Sequence, residues 1–359
     1  MNKELVPLRN EDRTDPKWAH PIVAEGWGIG GMAELVDTIM VPGMSFEKVK
    51  QARDRLEAMT LEMLNAAAPK GDDSTGEWSE YWAPGLKEEE NAPQVRIKVR
   101  SPKNRGVKPL PAVFYIFGGG LCVGSPELFQ ADIKTDCEQL GAVVFAPAYR
   151  LAPEHKYPAA VNDLHAAYKW MVENAEKLGI DTDQILIHGE SSGGHLSAAL
   201  THRLKRYNYI NGIMPRAQML IIPVMDDRQM MPSSDIIQEN GWDSKAAHLS
   251  WLAWLGVENI ASAKIGPEAV PGHAQGDDFK GLPPAFIHCM ESDSDRDDAI
   301  RYASGLLAAG VFCELHQWGG TNHTSFATFP SVLQQRYVTL LITEMQGALA
   351  YDLRRPWLK

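Results

Sequence analysis

The chain has 359 residues, 44% hydrophobic and 23% charged, a balance ordinary for a globular protein with ample apolar surface for a core. Thirty-five basic against 46 acidic residues give a formal net charge of −11, which argues against nucleic acid and anionic membranes as partners, since both repel an acidic surface. The N-terminus MNKELVPLRNEDRTDPKW lacks an apolar leader core, no apolar run reaches membrane-spanning length, and Cys122, Cys137, Cys289 and Cys313 form no CxxC or Cys/His group. The expectation is a cytoplasmic protein with neither a zinc site nor a disulfide scaffold.

Residues 1–90 read as an appendage to a core. Within them SFEKVKQARDRLEAMTLEMLNAA places apolar residues at helical spacing and predicts one amphipathic helix, flanked by AEGWGIGGM, GEWSEYWAPG and the acidic KEEENAP. From Val95 a rhythm sets in. The strand-like runs VRIKV, AVFYIF, AVVFAPA, QILIH, MLIIPV, AFIHCM and CELHQW alternate with helix-like ones: AAVNDLHAAYKWMVENAEKL, GGHLSAALTHRLKRY, DDAIRYASGLLAAG and SVLQQRYVTLLITEMQGAL. Several strands are nearly continuous apolar runs, as expected where helices cover both faces of a parallel sheet, so the fold class is α/β with a mostly parallel central sheet flanked by helices. The rhythm breaks between Asp226 and Gly281, where NGWDSKAAHLSWLAWLG brings Trp242, Trp251 and Trp254 close in sequence. The division is an N-terminal cap region 1–90, a core first part 91–228, a helical cap insertion 229–277 and a core second part 278–359.

Gly189-Glu190-Ser191-Ser192-Gly193 is a G-x-S-x-G pattern lying between the strand QILIH and the helix GGHLSAALTHRLKRY. Such an elbow lifts a serine oxygen above the sheet edge, and small flanking residues are needed because the turn is crowded. A serine hydroxyl needs a base to take its proton and a third group to orient that base, in the chain order Ser, acid, His. His323, in the loop GGTNHTSF after CELHQW, has that order; His316 lies inside the strand and is the poorer candidate. The acid should follow AFIHCM, where ESDSDRDD offers Asp293, Asp295, Asp297 and Asp298, and spacing alone does not choose among them. Phe117 to Gly120, FGGG, directly follows a strand and lacks the spacing of a phosphate-binding loop; its backbone N–H groups suit an oxyanion.

These residues resemble the hormone-sensitive-lipase-like family of α/β-hydrolase esterases, over most of the chain from about Val95 onward. AYRLAPEHKYPAAVNDL (148–164) is very similar to that family's stretch between oxyanion loop and elbow, and GLPPAFI (281–287) resembles the run into its acid strand. The resemblance implies an α/β-hydrolase fold with a cap, Ser191 as nucleophile, Asp293 as catalytic acid, His323 as base, and an oxyanion hole from Gly119, Gly120 and Ser192. It implies a carboxylesterase acting on short-chain acyl esters, with no cofactor and no metal, a small-molecule ester as partner, and room for a homodimer. Alternatives are a lactonase, thioesterase or small-molecule deacetylase with the same triad, or a non-catalytic binding protein on the same fold. Two departures stand out: Phe117 replaces the usual histidine of HGGG, and GESSG replaces GDSAG. Ser294 also stands where a proline is usual.

Overall fold

The computed structural model describes residues 51, 53–55, 58, 74–236, 242, 244–256, 259–262, 264–323, 325 and 332–354. Among them, eight strands form one sheet: β1 (Gly76–Ala83), β2 (Val95–Pro102), β3 (Leu110–Ile116), β4 (Val143–Pro147), β5 (Ile180–Glu190), β6 (Ala217–Ile221), β7 (Ala285–Met290) and β8 (Cys313–Trp318), in the spatial order β1-β2-β4-β3-β5-β6-β7-β8. The pairs β1–β2 and β2–β4 are antiparallel and every other pair is parallel. Every residue of β4, β6 and β7 is buried, which explains their largely apolar sequences: both faces are covered, and the two polar exceptions, Gln218 and His288, bond the Pro283 carbonyl and Glu344. At the edge, β8 is only partly buried and carries Glu314, His316 and Gln317.

The covering helices are α1 (Gln130–Leu140), α2 (Ala159–Glu173), α3 (Ala175–Leu178), α4 (Ser192–Arg206), α5 (Ser244–Leu255), α6 (Arg296–Ala308) and α7 (Val332–Ala350). Helix α2 packs on α4, and α1 on α7. Three elements differ from the sequence expectation. GEWSEYWA, grouped above with the appendage, is the sheet's edge strand β1, with both ends buried and its middle partly exposed. Helix α1 was not anticipated, because only Ile133, Asp136 and Cys137 of its eleven residues are buried and no apolar stripe marks it. The expected helix 159–178 breaks into α2 and α3 at Asn174, whose side-chain amide and backbone N–H both donate to the Trp170 carbonyl. Of the helix expected in SFEKVKQARDRLEAMTLEMLNAA, residues 51, 53–55 and 58 are helical and the remainder lies outside the described residues, as does the sequence before it.

The insertion between β6 and β7 is anchored from inside. Trp251 and Trp254 of α5 are fully buried and both pack on His195 of α4, whose Nε2 meets the Ala269 carbonyl at 2.7 Å. Burial lowers His195 to about 4, so it is a neutral, packed ring at ordinary pH.

Arg150, in the signature stretch after β4, joins three parts of the core. Its guanidinium donates to Asp163 of α2 at 2.7 Å and to both carboxylate oxygens of Glu89, in the β1–β2 connection, at 2.7 and 2.9 Å, while its backbone N–H donates to Asp163 at 2.8 Å. Replacing it by alanine leaves the buried Asp163 carboxylate without its cation. Arg150→Ala is expected to cost about 3 kcal/mol, read as a fall in Tm of at least about 5 °C in a thermal melt. A melt superimposable on the wild type would show that the network contributes nothing to stability.

Candidate active site

Strand β5 ends at Glu190 and α4 begins at Ser192, which leaves Ser191 alone at the bend with φ 57° and ψ −123°. A non-glycine residue there is strained, and the surroundings hold it in place: its backbone N–H donates to the Ile221 carbonyl at the end of β6, at 2.8 Å. The flanking glycines answer to space. A Cβ on Gly193 would collide with the Ile116 carbonyl oxygen, and one on Gly189 with the Gly193 carbonyl. The elbow therefore presses against the end of β3, where the FGGG loop starts.

Three polar side chains from separate elements meet here. Ser191 Oγ lies 2.8 Å from His323 Nε2, and His323 Nδ1 lies 2.7 Å from Asp293 Oδ2. An acceptor-only carboxylate on Nδ1 fixes the tautomer, so Nδ1–H donates to Asp293 and Nε2 accepts from the serine hydroxyl. All of this is sheltered, with Asp293 and His323 buried. Burial alone would lower His323; the Asp293 carboxylate beside it, helped by Asp295 and Glu190, outweighs that and raises it above its ordinary value.

The other aspartates have different partners. Asp295 accepts from Trp242 Nε1 at 2.6 Å, Asp297 accepts from the Ser233 backbone N–H at 2.9 Å, and Asp298 lies 3.6 Å from Arg301. Burial first, and then the neighbouring Asp293, pushes Asp295 up to about 7. His316 sits in β8, with Nε2 3.0 Å from Glu314 and 2.9 Å from Glu344.

Gly119 and Gly120 have φ of 123° and 57°, conformations that only glycine adopts without strain. Among the described residues, no backbone carbonyl accepts from their N–H groups, and Ser192 opens α4, where N–H groups lack intrahelical partners. Phe117 is 1% exposed and stacks on Tyr149 at 4.1 Å between ring centroids, with the Phe129 ring at 6.1 Å. The Tyr149 hydroxyl donates to the Phe117 carbonyl at 2.7 Å, so a phenol from the AYRLAP stretch gives this loop a side-chain hydrogen bond.

Two further residues contribute, Arg53 without any sequence signal and Trp242 from the tryptophan-bearing insertion named above. Arg53 donates from Nε to the Cys122 carbonyl at 2.8 Å and from Nη2 to the Ala152 carbonyl at 3.1 Å, and forms a two-pronged pair with Glu154. Trp242 stacks on the His323 ring at 5.3 Å and 24°, and its ring edge lies where a side chain on Gly120 would begin. Two carboxylate–histidine groups elsewhere, Asp226/Asp227/His273 and Glu314/His316/Glu344, have ligand-like spacing, but Asp226 is already paired with Arg228 and Arg301.

Removing the Phe117 ring empties a stacked, fully buried site beneath the loop. Phe117→Ala is expected to cost about 3 kcal/mol. Its melting temperature and its hydrolytic rate should fall together; an unchanged melting temperature would mean that the ring does not support the loop.

A family model described as the alpha/beta hydrolase fold matches residues 113–327. Carboxylesterase NlhH of Mycobacterium tuberculosis is 35% identical over 208 residues, covering 57% of this chain and 63% of that protein, so the chain spans a little under two thirds of its length. Ethyl acetate hydrolase of Pseudomonas putida is 30% identical over 238 residues, covering 66% of this chain and 72% of that protein. Among solved structures, a bacterial heroin esterase superposes with a TM-score of 0.79 at 31% identity, over 93% of this chain and 98% of the other. The matched segment runs from inside β3 past His323 and takes in the elbow and the FGGG loop, and the chain belongs to the α/β-hydrolase-fold family, in its hormone-sensitive-lipase-like branch.

Proposed function

We propose that the chain is a serine carboxylesterase that hydrolyses short-chain acyl esters through an acyl-enzyme. The observation that carries this reading is the unbroken line Ser191 Oγ–His323 Nε2–Asp293, at 2.8 and 2.7 Å, beginning at a serine in a strained strand-to-helix bend. In this mechanism His323 Nε2 takes the Ser191 proton as Oγ attacks the acyl carbon. The carbonyl oxygen, now an oxyanion, is received by the N–H groups of Gly119, Gly120 and Ser192. His323 then gives its proton to the leaving alkoxide oxygen, and the C–O bond breaks to leave an acyl-serine and a free alcohol. Water repeats the sequence: His323 takes its proton, the hydroxide adds to the acyl carbon, and the acid leaves as Ser191 regains its proton. Asp293 keeps Nδ1 protonated and stabilises the imidazolium that forms twice in each cycle. The activities for which the relatives are named, carboxylesterase, ethyl acetate hydrolase and heroin esterase, support ester hydrolysis as the reaction class.

The short-chain preference rests on crowding. A side chain on Gly120 would meet the Trp242 ring and Ser250 Oγ, both from the insertion, so the indole crowds the loop proposed to receive the oxyanion. A filled pocket charges a steric penalty for each added methylene.

Ser191→Ala should fold normally, lose about 10⁶-fold in kcat and no longer react with a fluorophosphonate probe. Asp293→Asn should lose about 10⁴-fold in kcat, since the imidazole loses tautomer control, whereas Asp295→Asn keeps an acceptor for Trp242 and should lose less than about tenfold. Reversal of that order would move the acid to Asp295. The base must be neutral, and His323 is raised above 6.5, so kcat/KM should fall as pH drops through a midpoint above 6.5. Wild-type protein that stays unlabelled by the probe would end the esterase reading.

A second measurement addresses the acyl group. Along a series of 4-nitrophenyl esters, kcat/KM should peak at about two to six acyl carbons. A maximum at long chains, or activation at an oil–water interface, would show that the insertion opens to lipid.

A further inference from the structure

Two hydrogen bonds hold the His323 imidazole, one at each nitrogen. Both bonds engage the ring through its edge, so neither touches its faces. Tipping of the ring out of its plane swings the Nε2 lone pair off the serine hydroxyl, and proton transfer is sensitive to such misalignment. Something must press on the ring face. Trp242 does: its indole lies against the imidazole at 5.3 Å with the planes only 24° apart, a stacked arrangement.

The indole is itself fixed. Trp242 is 4% exposed, and a buried indole N–H needs an acceptor. That acceptor is Asp295 Oδ2 at 2.6 Å, and the Asp295 backbone N–H donates in turn to Asp293 Oδ1 at 3.1 Å. The contacts close a circuit: Trp242 to Asp295, Asp295 to Asp293, Asp293 to His323, and His323 back onto the Trp242 face. An apolar core tryptophan would do none of this; Trp251 and Trp254, by contrast, pack on His195.

We propose that Trp242, held by Asp295, is a positioning residue that locks the orientation of the His323 ring and stabilises its protonated form through the indole face. This rests on the esterase reading of the same site. The charge on the imidazolium forms within reach of a π-face, an interaction favourable in a desolvated site. The carboxylates facing His323 are Asp293 and Asp295 from the loop after β7 and Glu190 from the end of β5; removing the indole leaves all three in place and also takes the donor from Asp295.

The test is an NMR pH titration of the His323 ring protons in the full-length protein, alongside kcat. In the wild type these protons should resonate upfield of those of exposed histidines, because they lie over an indole face; an unshifted position overturns the stack and needs no variant. In Trp242→Leu the His323 midpoint should fall by about half to one pH unit. The same variant should lose about 10- to 100-fold in kcat, while Trp242→Phe, which restores a ring face, recovers to within about fivefold of the wild type. If Leu and Phe behave alike in both midpoint and kcat, Trp242 is only filling space and the proposal fails. The titration does not depend on turnover: a wild type that hydrolyses no ester defeats the esterase reading, and the His323 midpoint still decides the role of Trp242.

Discussion

Everything in this site depends on one close approach, that of the bend after β5 to the end of β3. Gly193 sits against the Ile116 and Phe117 carbonyls, and Gly118 against the Glu190 carbonyl, at separations that exclude a Cβ. Because the two strands are neighbours in register, with Ile116 beside Gly189, the loop that leaves β3 and the serine that follows β5 emerge at the same end of the sheet. On the proposed function, the catalytic apparatus is a consequence of that packing. On that function, an oxyanion loop and a nucleophile that were separately well shaped, but displaced by about 1 Å from their present relation, would lose about 100-fold in rate.

The second constraint is electrostatic. Three carboxylates face one imidazole, and a site in which all three were charged would repel itself. Burial resolves this unequally: it raises Asp295 and Glu190, the former to about 7, so that each holds a proton more readily than an ordinary carboxyl group. Only Asp293 receives the imidazole N–H. Similar residues in one cluster thus acquire separate duties from their environments, the pattern by which enzymes divide work between like groups.

Much of the fold could be read from the chain because its physics is local. Strands buried on both faces must be mostly apolar, and β4, β6 and β7 announced themselves that way despite Gln218 and His288, as did the Ser191 elbow through its small flanking residues. The misses share a cause. Strand β1 is an edge strand whose exposed middle breaks the apolar run, and α1 buries too few side chains to leave a stripe. Within ESDSDRDD the four aspartates offer the same chemistry, and only the resemblance singled out Asp293; the partners of Asp293, Asp295 and Asp297 are contributed by distant segments. Trp242 and Asp295 are 53 residues apart, and Arg53 and Cys122 are 69 apart. No spacing rule reaches that far.

Arg53 lies outside the segment that matches the family model, yet it grips carbonyls on both sides of the oxyanion loop's exit, at Cys122 and at Ala152, and Ala152 donates its own N–H to Leu121 of that loop. The conformational free energy of the loop is therefore shared with residues the family pattern does not cover. Such coupling is reciprocal. On the proposed mechanism, an acyl group or inhibitor that favours the present loop shape also tightens the hold of Arg53, and anything that draws Arg53 away, whether a ligand, a neighbouring protein or a break in the chain ahead of it, would be felt at Gly119 and Gly120 as a loss of transition-state affinity, with no atom of Ser191, His323 or Asp293 having moved.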